Sequence, residues 1–171
     1  VFYTEAAAER YFQELTQLQS AGVENALVSE RVMEKLSETK TPQGVVAVVK
    51  QVHLSLDAAL AKQPKLVAVL DQARDPGNAG TILRAADAAG ADLVIFTADS
   101  VDVYNPKLVR STAGSILHLD LVIDIDAESL VPQLKRAGLG VFATTASGES
   151  ITDLRGELAE PTAWIFGNEA H

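Results

Sequence analysis

The sequence predicts an α/β protein whose larger part is a parallel sheet with helices on both faces, and two observations carry that prediction. From Lys65 onward short apolar runs alternate with helix-compatible stretches: KLVAVLD at 65–71, ADLVIFT at 91–97 and LDLVID at 119–124 are each followed by one, and GVFATTASG at 140–148 and WIFGNE at 164–169 complete the series. Alternation of this kind marks strands joined by crossover helices. The runs are also nearly continuous in Val, Ile, Leu and Phe, which suits strands covered on both faces. Ligands of such open sheets bind beyond the carboxyl ends of the strands, so the loops after Leu70, Phe96, Ala143 and Phe166 are where a site is expected.

Composition sets the outer limits. The 171 residues are 47% hydrophobic, 22% charged and 5% aromatic, enough apolar material for a packed core in one large or two unequal domains. No apolar run reaches the roughly 18 residues that span a bilayer, and the start VFYTEAAAER lacks the basic-then-apolar order of a signal peptide, so a soluble cytoplasmic protein is expected. The absence of cysteine excludes disulfides, thiolate metal sites and thiol nucleophiles, and His53, His118 and His171 show no ligand spacing, so no metal is expected. The net charge of −9 argues against gripping nucleic acid by bulk electrostatics. Any RNA contact must come from a local basic patch.

In the first part of the chain, Val1-Phe2-Tyr3 reads as a strand and Ala7, Tyr11, Leu15 and Leu18 recur at helical spacing. A second helix is expected over Ser29 to Leu36, with Ser29 as its cap, then the turn-rich TKTPQG at 39–44 and a strand over Val45 to Val49. A helix-forming linker from Leu54 to Lys62 ends at Gln63-Pro64. The expected organisation is a partial N-terminal domain at 1–53, a linker at 54–64 and a second domain at 65–171.

Within the second domain, DPGNAGTILRAADAAGA at 75–91 suggests a turn at Pro76-Gly77, a helix capped by Asn78 and ended by Gly90, and a buried stripe of Ile82, Ala86 and Ala89. Arg84 then lies about 200° around the axis from Ile82 and Ala86, away from that stripe and available for function. An ion pair with Asp87 three residues on explains the same arginine equally well. The glycines match neither a GxGxxG nor a Walker A pattern. NPKLVRSTAGSILHL at 105–119 suggests a helix capped by Asn105, burying Leu108, Val109, Ala113, Ile116 and Leu117. Lys107, Arg110, Ser111, Gly114 and His118 would form its polar stripe, fit for phosphate or simply solvated. GVFATTASG breaks into small residues where backbone could approach a flat ring, and Gly167, Asn168 and Glu169 place polar groups at a strand's carboxyl end.

Taken in order, these segments resemble the SpoU/TrmH family of RNA 2'-O-methyltransferases in the SPOUT superfamily. NAGTILR resembles the family's first motif, NPKLVRSTAGS its RNA-facing helix, FGNEAH the start of its second motif, and TPQGVVAVV the end of the substrate-binding domain that precedes the catalytic one in many members. The resemblance implies a SPOUT domain with a C-terminal trefoil knot. It also implies a further segment after His171 to tie that knot and residues before Val1 to complete the first domain. The implied reaction is methyl transfer from S-adenosylmethionine to a ribose 2'-hydroxyl of RNA, rRNA rather than tRNA, by a homodimer.

By the same resemblance Arg84, Asn78 and Glu169 are the expected catalytic residues. Thr144, Thr145, Ala146, Phe166, Gly167 and Asn168 are expected around the cofactor, and Lys107, Arg110, Ser111, Lys40 and Gln43 against the RNA. A guanidinium is a poor base, so Arg84 is expected to stabilise the developing alkoxide and clamp a neighbouring phosphate. Two rivals predict other outcomes: a non-catalytic RNA-binding relative of the same fold, and an unknotted flavodoxin-like nucleotide-binding domain.

Overall fold

The computed structural model describes every residue except 146, 155 and 168–171. It divides the chain into two compact units, Val1–Gln51 and Val52–His171.

The first unit is built on a three-stranded sheet in the order β2-β1-β3, comprising β1 (Phe2–Tyr3), β2 (Ala26–Leu27) and β3 (Val45–Val46). β1 pairs parallel with β2 and antiparallel with β3. Three helices accompany it: α1 (Glu5–Arg10), α2 (Phe12–Ser20) and α3 (Glu30–Leu36). The helical periodicity from Ala7 to Leu18 therefore spans two helices, broken at Tyr11, whose φ of −116° is not helical. Ala7, Leu15 and Met33 are its buried apolar residues. The strand expected over 45–49 stops at Val46, and Val48 and Val49 are exposed. Lys40 and Gln43 stand exposed in the loop from α3 to β3. That loop closes on Gly44, whose φ of +81° and carbonyl, bonded by the Thr4 amide at 2.9 Å, turn the chain back onto β1.

The second unit contains a five-stranded, wholly parallel sheet ordered β6-β5-β4-β8-β7. Its strands are β4 (Leu66–Leu70), β5 (Leu93–Thr97), β6 (Asp120–Ile125), β7 (Gly140–Ala143) and β8 (Thr162–Phe166). Renumbered from its own first strand, the order is 3-2-1-5-4, which departs from the 2-1-3-4-5 of the flavodoxin-like alternative. The helices are α4 (Leu56–Leu60), α5 (Pro76–Ala88), α6 (Pro106–Ser111) and α7 (Ala127–Arg136). Two cores result from period-two alternation along the strands. Val67, Val69, Leu93, Ile95, Val122 and Ala163 pack with Leu56, Ala59, Leu130 and Leu134 of α4 and α7. Ala68, Leu70, Val94, Phe96 and Leu121 pack with Ala79, Leu83 and Leu108 of α5 and α6. Each fully buried Leu, Ile or Phe contributes about 1.5–3 kcal/mol of transfer free energy. Among the described residues, no helix is long and apolar enough to cross a membrane.

Residues 54–64, read as a linker, are packed into the second unit. His53 forms a parallel bridge with Leu121, the Leu54 amide donates to the Leu121 carbonyl at 2.7 Å, and Leu56 and Ala59 are buried. The Tyr104 hydroxyl also accepts the amides of Val52 and His53, at 3.0 and 3.1 Å. These hydrogen bonds and apolar contacts fasten the segment to β6 and to the loop before α6.

α5 differs from expectation at both its start and its buried side. Asp75, not Asn78, is the cap: its carboxylate accepts the Asn78 amide at 2.8 Å, with Pro76 in the first position, where its missing N–H costs nothing. The buried residues are Ala79, Gly80 and Leu83, while Ile82 and Ala86 are half-buried and Ala89 is exposed. The reason is α6, which crosses α5 at Gly80. A Cβ built there would lie 1.8 Å from the Ser111 hydroxyl and 2.7 Å from its Cβ. α6 itself is shorter than expected, because Ala113 (φ 50°) and Gly114 (φ 102°) are left-handed and only a 3-10 turn, Ser115–Leu117, follows. Val109, Ala113 and Leu117 are consequently exposed, and the buried residues here are Leu108, Thr112, Ser115 and Ile116.

The crossing gives a direct prediction. Gly80→Ala is expected to force α6 outward and destabilise the second unit by about 1–3 kcal/mol, as overpacking does, read as a lower midpoint in thermal or urea unfolding. An unchanged midpoint would mean that α6 is not held at this distance.

Candidate active site

β4 lies between β5 and β8, and the chain runs from β4 to β5 to β6 on one side but reaches β8 and β7 on the other. The loops after β4 and β8 therefore meet where the strand order reverses, the place where open parallel sheets hold ligands. A cavity of about 280 Å³ opens there, lined by Ala73, Arg74, Asp75, Asn78, Thr81, Ile82 and Gly167. A larger one of about 520 Å³ lies beyond β7, lined by Phe142, Ala143, Thr144, Thr145, Gly148, Glu149, Ile151, Leu154 and Trp164. An apolar groove of about 300 Å³ runs between α5 and β8, bounded chiefly by Leu66, Ile82, Ala85, Ala86, Ala89, Trp164 and Phe166.

The loop from β4 to α5 is held rigidly. The buried Thr97 hydroxyl accepts the Gln72 amide at 3.0 Å and donates to the Asp71 carboxylate at 2.8 Å. The Asp71 amide donates to the Phe166 carbonyl at 2.9 Å, and the Ala73 carbonyl accepts the Val101 amide at 2.8 Å. Gln72 sits at φ 49°, a left-handed conformation that costs a side-chain-bearing residue about 1–2 kcal/mol and persists where neighbours impose it. Asp75 completes the loop as the cap of α5.

The expected residues do not all come together. Asn78 and Gly167 line the small cavity and Thr144 and Thr145 the larger one. The Thr144 amide and hydroxyl both donate to the Ile165 carbonyl, at 2.9 and 3.1 Å, so its polar groups tie β7 to β8. Phe166 lines the apolar groove and packs against the core under α5, not against Thr144 and Thr145. Ala146, Asn168 and Glu169 lie outside the described residues. Arg84 is exposed. Six residues beyond Asn78, it sits about 120° around α5 from it, toward α6, and is absent from the lining of the small cavity.

The ion pair weighed for Arg84 does not form, because Asp87 turns to the 3-10 turn. Hydrogen bonds from Ser115 and His118 hold the Asp87 carboxyl below the usual carboxylate range, with the His118 Nδ1 at 3.0 Å. Lys107 and Arg110 are exposed on α6. Ser111, expected to face RNA, is turned inward: its hydroxyl donates to the carbonyls of Pro76, at 2.9 Å, and Leu108, at 2.7 Å. Among the described residues no group of three or more His, Cys, Asp or Glu could hold a metal ion.

Sequence reasoning missed the aromatic wall and one cation. Phe142 and Trp164 are register partners on β7 and β8, and their rings stack with centroids 5.1 Å apart. Period-two alternation against the buried Ala163 could have placed Trp164 on the α5 side. Arg74 lies in a loop, where no periodicity marks a residue.

A doubly covered parallel sheet with cavities at the carboxyl ends of β4, β7 and β8 defines an α/β ligand-binding domain. The chain belongs to the SpoU rRNA Methylase family, matched over residues 65–171, and residues 1–55 match the RNA 2'-O ribose methyltransferase substrate binding family. It is similar to the 23S rRNA (guanosine(2553)-2'-O)-methyltransferase RlmP of Bacillus subtilis (strain 168), 34% identical over 149 residues, covering 86% of this chain and 57% of that one. It is likewise 34% identical, over 155 residues, to the 23S rRNA (uridine(2479)-2'-O)-methyltransferase of Streptomyces viridochromogenes, covering 84% and 52%. Among solved structures it resembles the SpoU methyltransferase AviRb from Streptomyces viridochromogenes in complex with AdoMet, with a TM-score of 0.81, 28% identity and coverage of 99% and 65%. The AdoMet-bound rRNA methyltransferase from Sinorhizobium meliloti gives a TM-score of 0.81, 27% identity and coverage of 99% and 62%. The chain spans between 52% and 65% of the length of these relatives.

Two tests follow from the local geometry. Thr97→Val keeps the shape but leaves the Gln72 amide without its acceptor, and is expected to cost about 1–3 kcal/mol, measured by urea unfolding; a neutral change would show that the loop does not depend on this hydroxyl. A carboxyl lowered by folding stabilises above its unfolded-state value and loses that contribution as pH falls through the folded value. Asp87→Asn should therefore melt below the wild type near neutrality, with the gap closing as pH falls below about 4. A gap independent of pH would remove the carboxylate from the account.

Proposed function

We propose that the protein methylates the 2'-hydroxyl of a ribose in RNA, rRNA rather than tRNA, with S-adenosylmethionine as methyl donor. The observation that carries this reading is the family match over the second unit, joined to cavities at the carboxyl ends of β4, β7 and β8. The match of residues 1–55 to a substrate-binding family supports RNA as the substrate. A homodimer and a cytoplasmic location belong to the same reading, as does a knotted C-terminal region. The apolar groove between α5 and β8 and the exposed Ala85, Ala88 and Ala89 suit a homodimer.

The cavity beyond β7 fits the cofactor in size and chemistry. About 520 Å³ falls within the range of small-molecule sites. Its lining combines apolar walls with Thr145, Glu149 and the small residues Ala143 and Gly148, and Gly148 lets backbone come close to a ligand. At this cavity Thr144 and Thr145 would hold the cofactor; of the other expected residues, Gly167 lines the small cavity and Phe166 the apolar groove, and Ala146 and Asn168 lie outside the described residues. Bound there, S-adenosylmethionine supplies an electrophilic methyl group.

The chain's own residues have to orient the ribose and handle the hydroxyl proton. Asn78 offers an amide at the cavity between β4 and β8, and the family resemblance assigns Glu169 a part in positioning the substrate. Arg84, exposed on α5 and outside the lining of that cavity, would stabilise the developing alkoxide of a ribose that extends past the cavity along the helix. The proton passes to an oxygen acceptor, with the neighbouring RNA phosphate the suitable one. Lys107 and Arg110 on α6, and Lys40 and Gln43 on the loop before β3, meet the RNA backbone. The inward turn of Ser111 leaves it a structural part of the α5–α6 contact.

Arg84→Ala in the full-length protein is expected to lower kcat for methyl transfer to 23S rRNA by about 10²–10³-fold, with cofactor affinity by calorimetry unchanged. Undiminished transfer would make the assigned role of Arg84 wrong. Failure of the wild type to bind S-adenosylmethionine would favour a non-catalytic RNA-binding protein instead.

A further inference from the structure

Among the described residues Arg74 is the one cationic side chain lining the cavity between β4 and β8, and it shares that cavity with Asn78 and Gly167. Arg84 does not reach its lining. On either side of Arg74 the chain is committed to holding the fold: Asp71 and Gln72 through Thr97, Ala73 through Val101, and Asp75 as the cap of α5. Arg74 is exposed, and its hydrogen bond among the described residues is a long one, 3.4 Å to the Gln72 side-chain oxygen. The acidic neighbour Asp75 has one carboxylate oxygen occupied by the Asn78 amide. A guanidinium offers several N–H donors in a planar fork that matches a phosphate, and here the fork is carried on a pinned loop, so little ordering is left to be done on binding.

Resting on the function proposed above, we infer that Arg74 clamps a backbone phosphate adjacent to the target ribose and so positions the RNA at the cavity that holds Asn78. A nucleotide whose ribose lay against Asn78 would bring a flanking phosphate within reach of Arg74, since both side chains line the same cavity. This supplies part of the local basic patch that a protein of net charge −9 requires. Arg74 is thus a positioning residue, distinct in role from Arg84, whose effect lies on the chemical step.

The test uses the full-length protein with Arg74→Ala and Arg74→Lys, a fluorescein-labelled oligouridylate as binding probe and 23S rRNA lacking the modification as substrate. Arg74→Ala is expected to weaken oligouridylate binding and raise KM for the rRNA by about tenfold or more, the worth of one charge-assisted contact, with kcat and cofactor affinity retained. The slope of log affinity against log salt should fall in magnitude by about 0.7, one single-strand phosphate contact. Arg74→Lys should restore the salt slope and part of the affinity. Unchanged KM and salt slope in Arg74→Ala, alongside an active wild type, overturn the inference while leaving the function standing. A loss confined to kcat or to cofactor affinity overturns it as well, since Arg74 would then serve the chemistry or the cofactor. A wild type that binds no RNA and transfers no methyl group overturns both.

Discussion

Everything at the candidate site depends on β4 being hydrogen-bonded in parallel on both sides. Its register with β8 pairs Leu66 with Thr162 and Leu70 with Phe166, and its register with β5 pairs Leu70 with Phe96. Three strand ends are thereby brought level, and the loops that leave them occupy one edge. β4 is paired along both edges and covered on both faces, by α4 and α7 on one and α5 and α6 on the other, so its residues can be apolar on both faces, and Val67, Val69 and Leu70 are all at or below 1% exposure. The core and the site are consequences of the same pairing.

Strain is concentrated at that edge. Gln72, Asp99 and Asp124 are left-handed residues with side chains, and each follows or interrupts a strand near its carboxyl end. At Gln72 the distortion is opposed by the Thr97 hydroxyl. At Asp124 it accompanies the register shift between β5 and β6, a bulge that re-aims the end of β6. The turn at Gln72 is held from the neighbouring strand, so the backbone of that loop is set before any ligand arrives.

Much of this was legible in the sequence. The five runs after Lys65 correspond to the five strands because burial on both faces leaves an unambiguous apolar signature. The helices were legible as helices but not in their facing. α5 is so rich in alanine that apolar residues occur all around it, and periodicity cannot distinguish the side under α6, at Gly80 and Leu83, from the side toward β8, at Ile82 and Ala86. The end of α6 was hidden for another reason: Ala113 has no propensity that announces a left-handed turn, and Gly114 alone does not fix where the helix stops. Asn78 and Gly167 were legible through motif order. Arg74 was not, since its place is defined only when β8 arrives beside β4 from the far end of the chain.

The stacking of Phe142 on Trp164 gives the molecule a property of a different kind. Trp164 is its single tryptophan, and it lines both the cavity beyond β7 and the apolar groove beside α5. An indole emits according to the polarity around it, and this one looks into two spaces at once, braced by a neighbouring ring. The protein therefore carries a native fluorophore at the junction of two of its openings, where filling either one alters the surroundings of the indole.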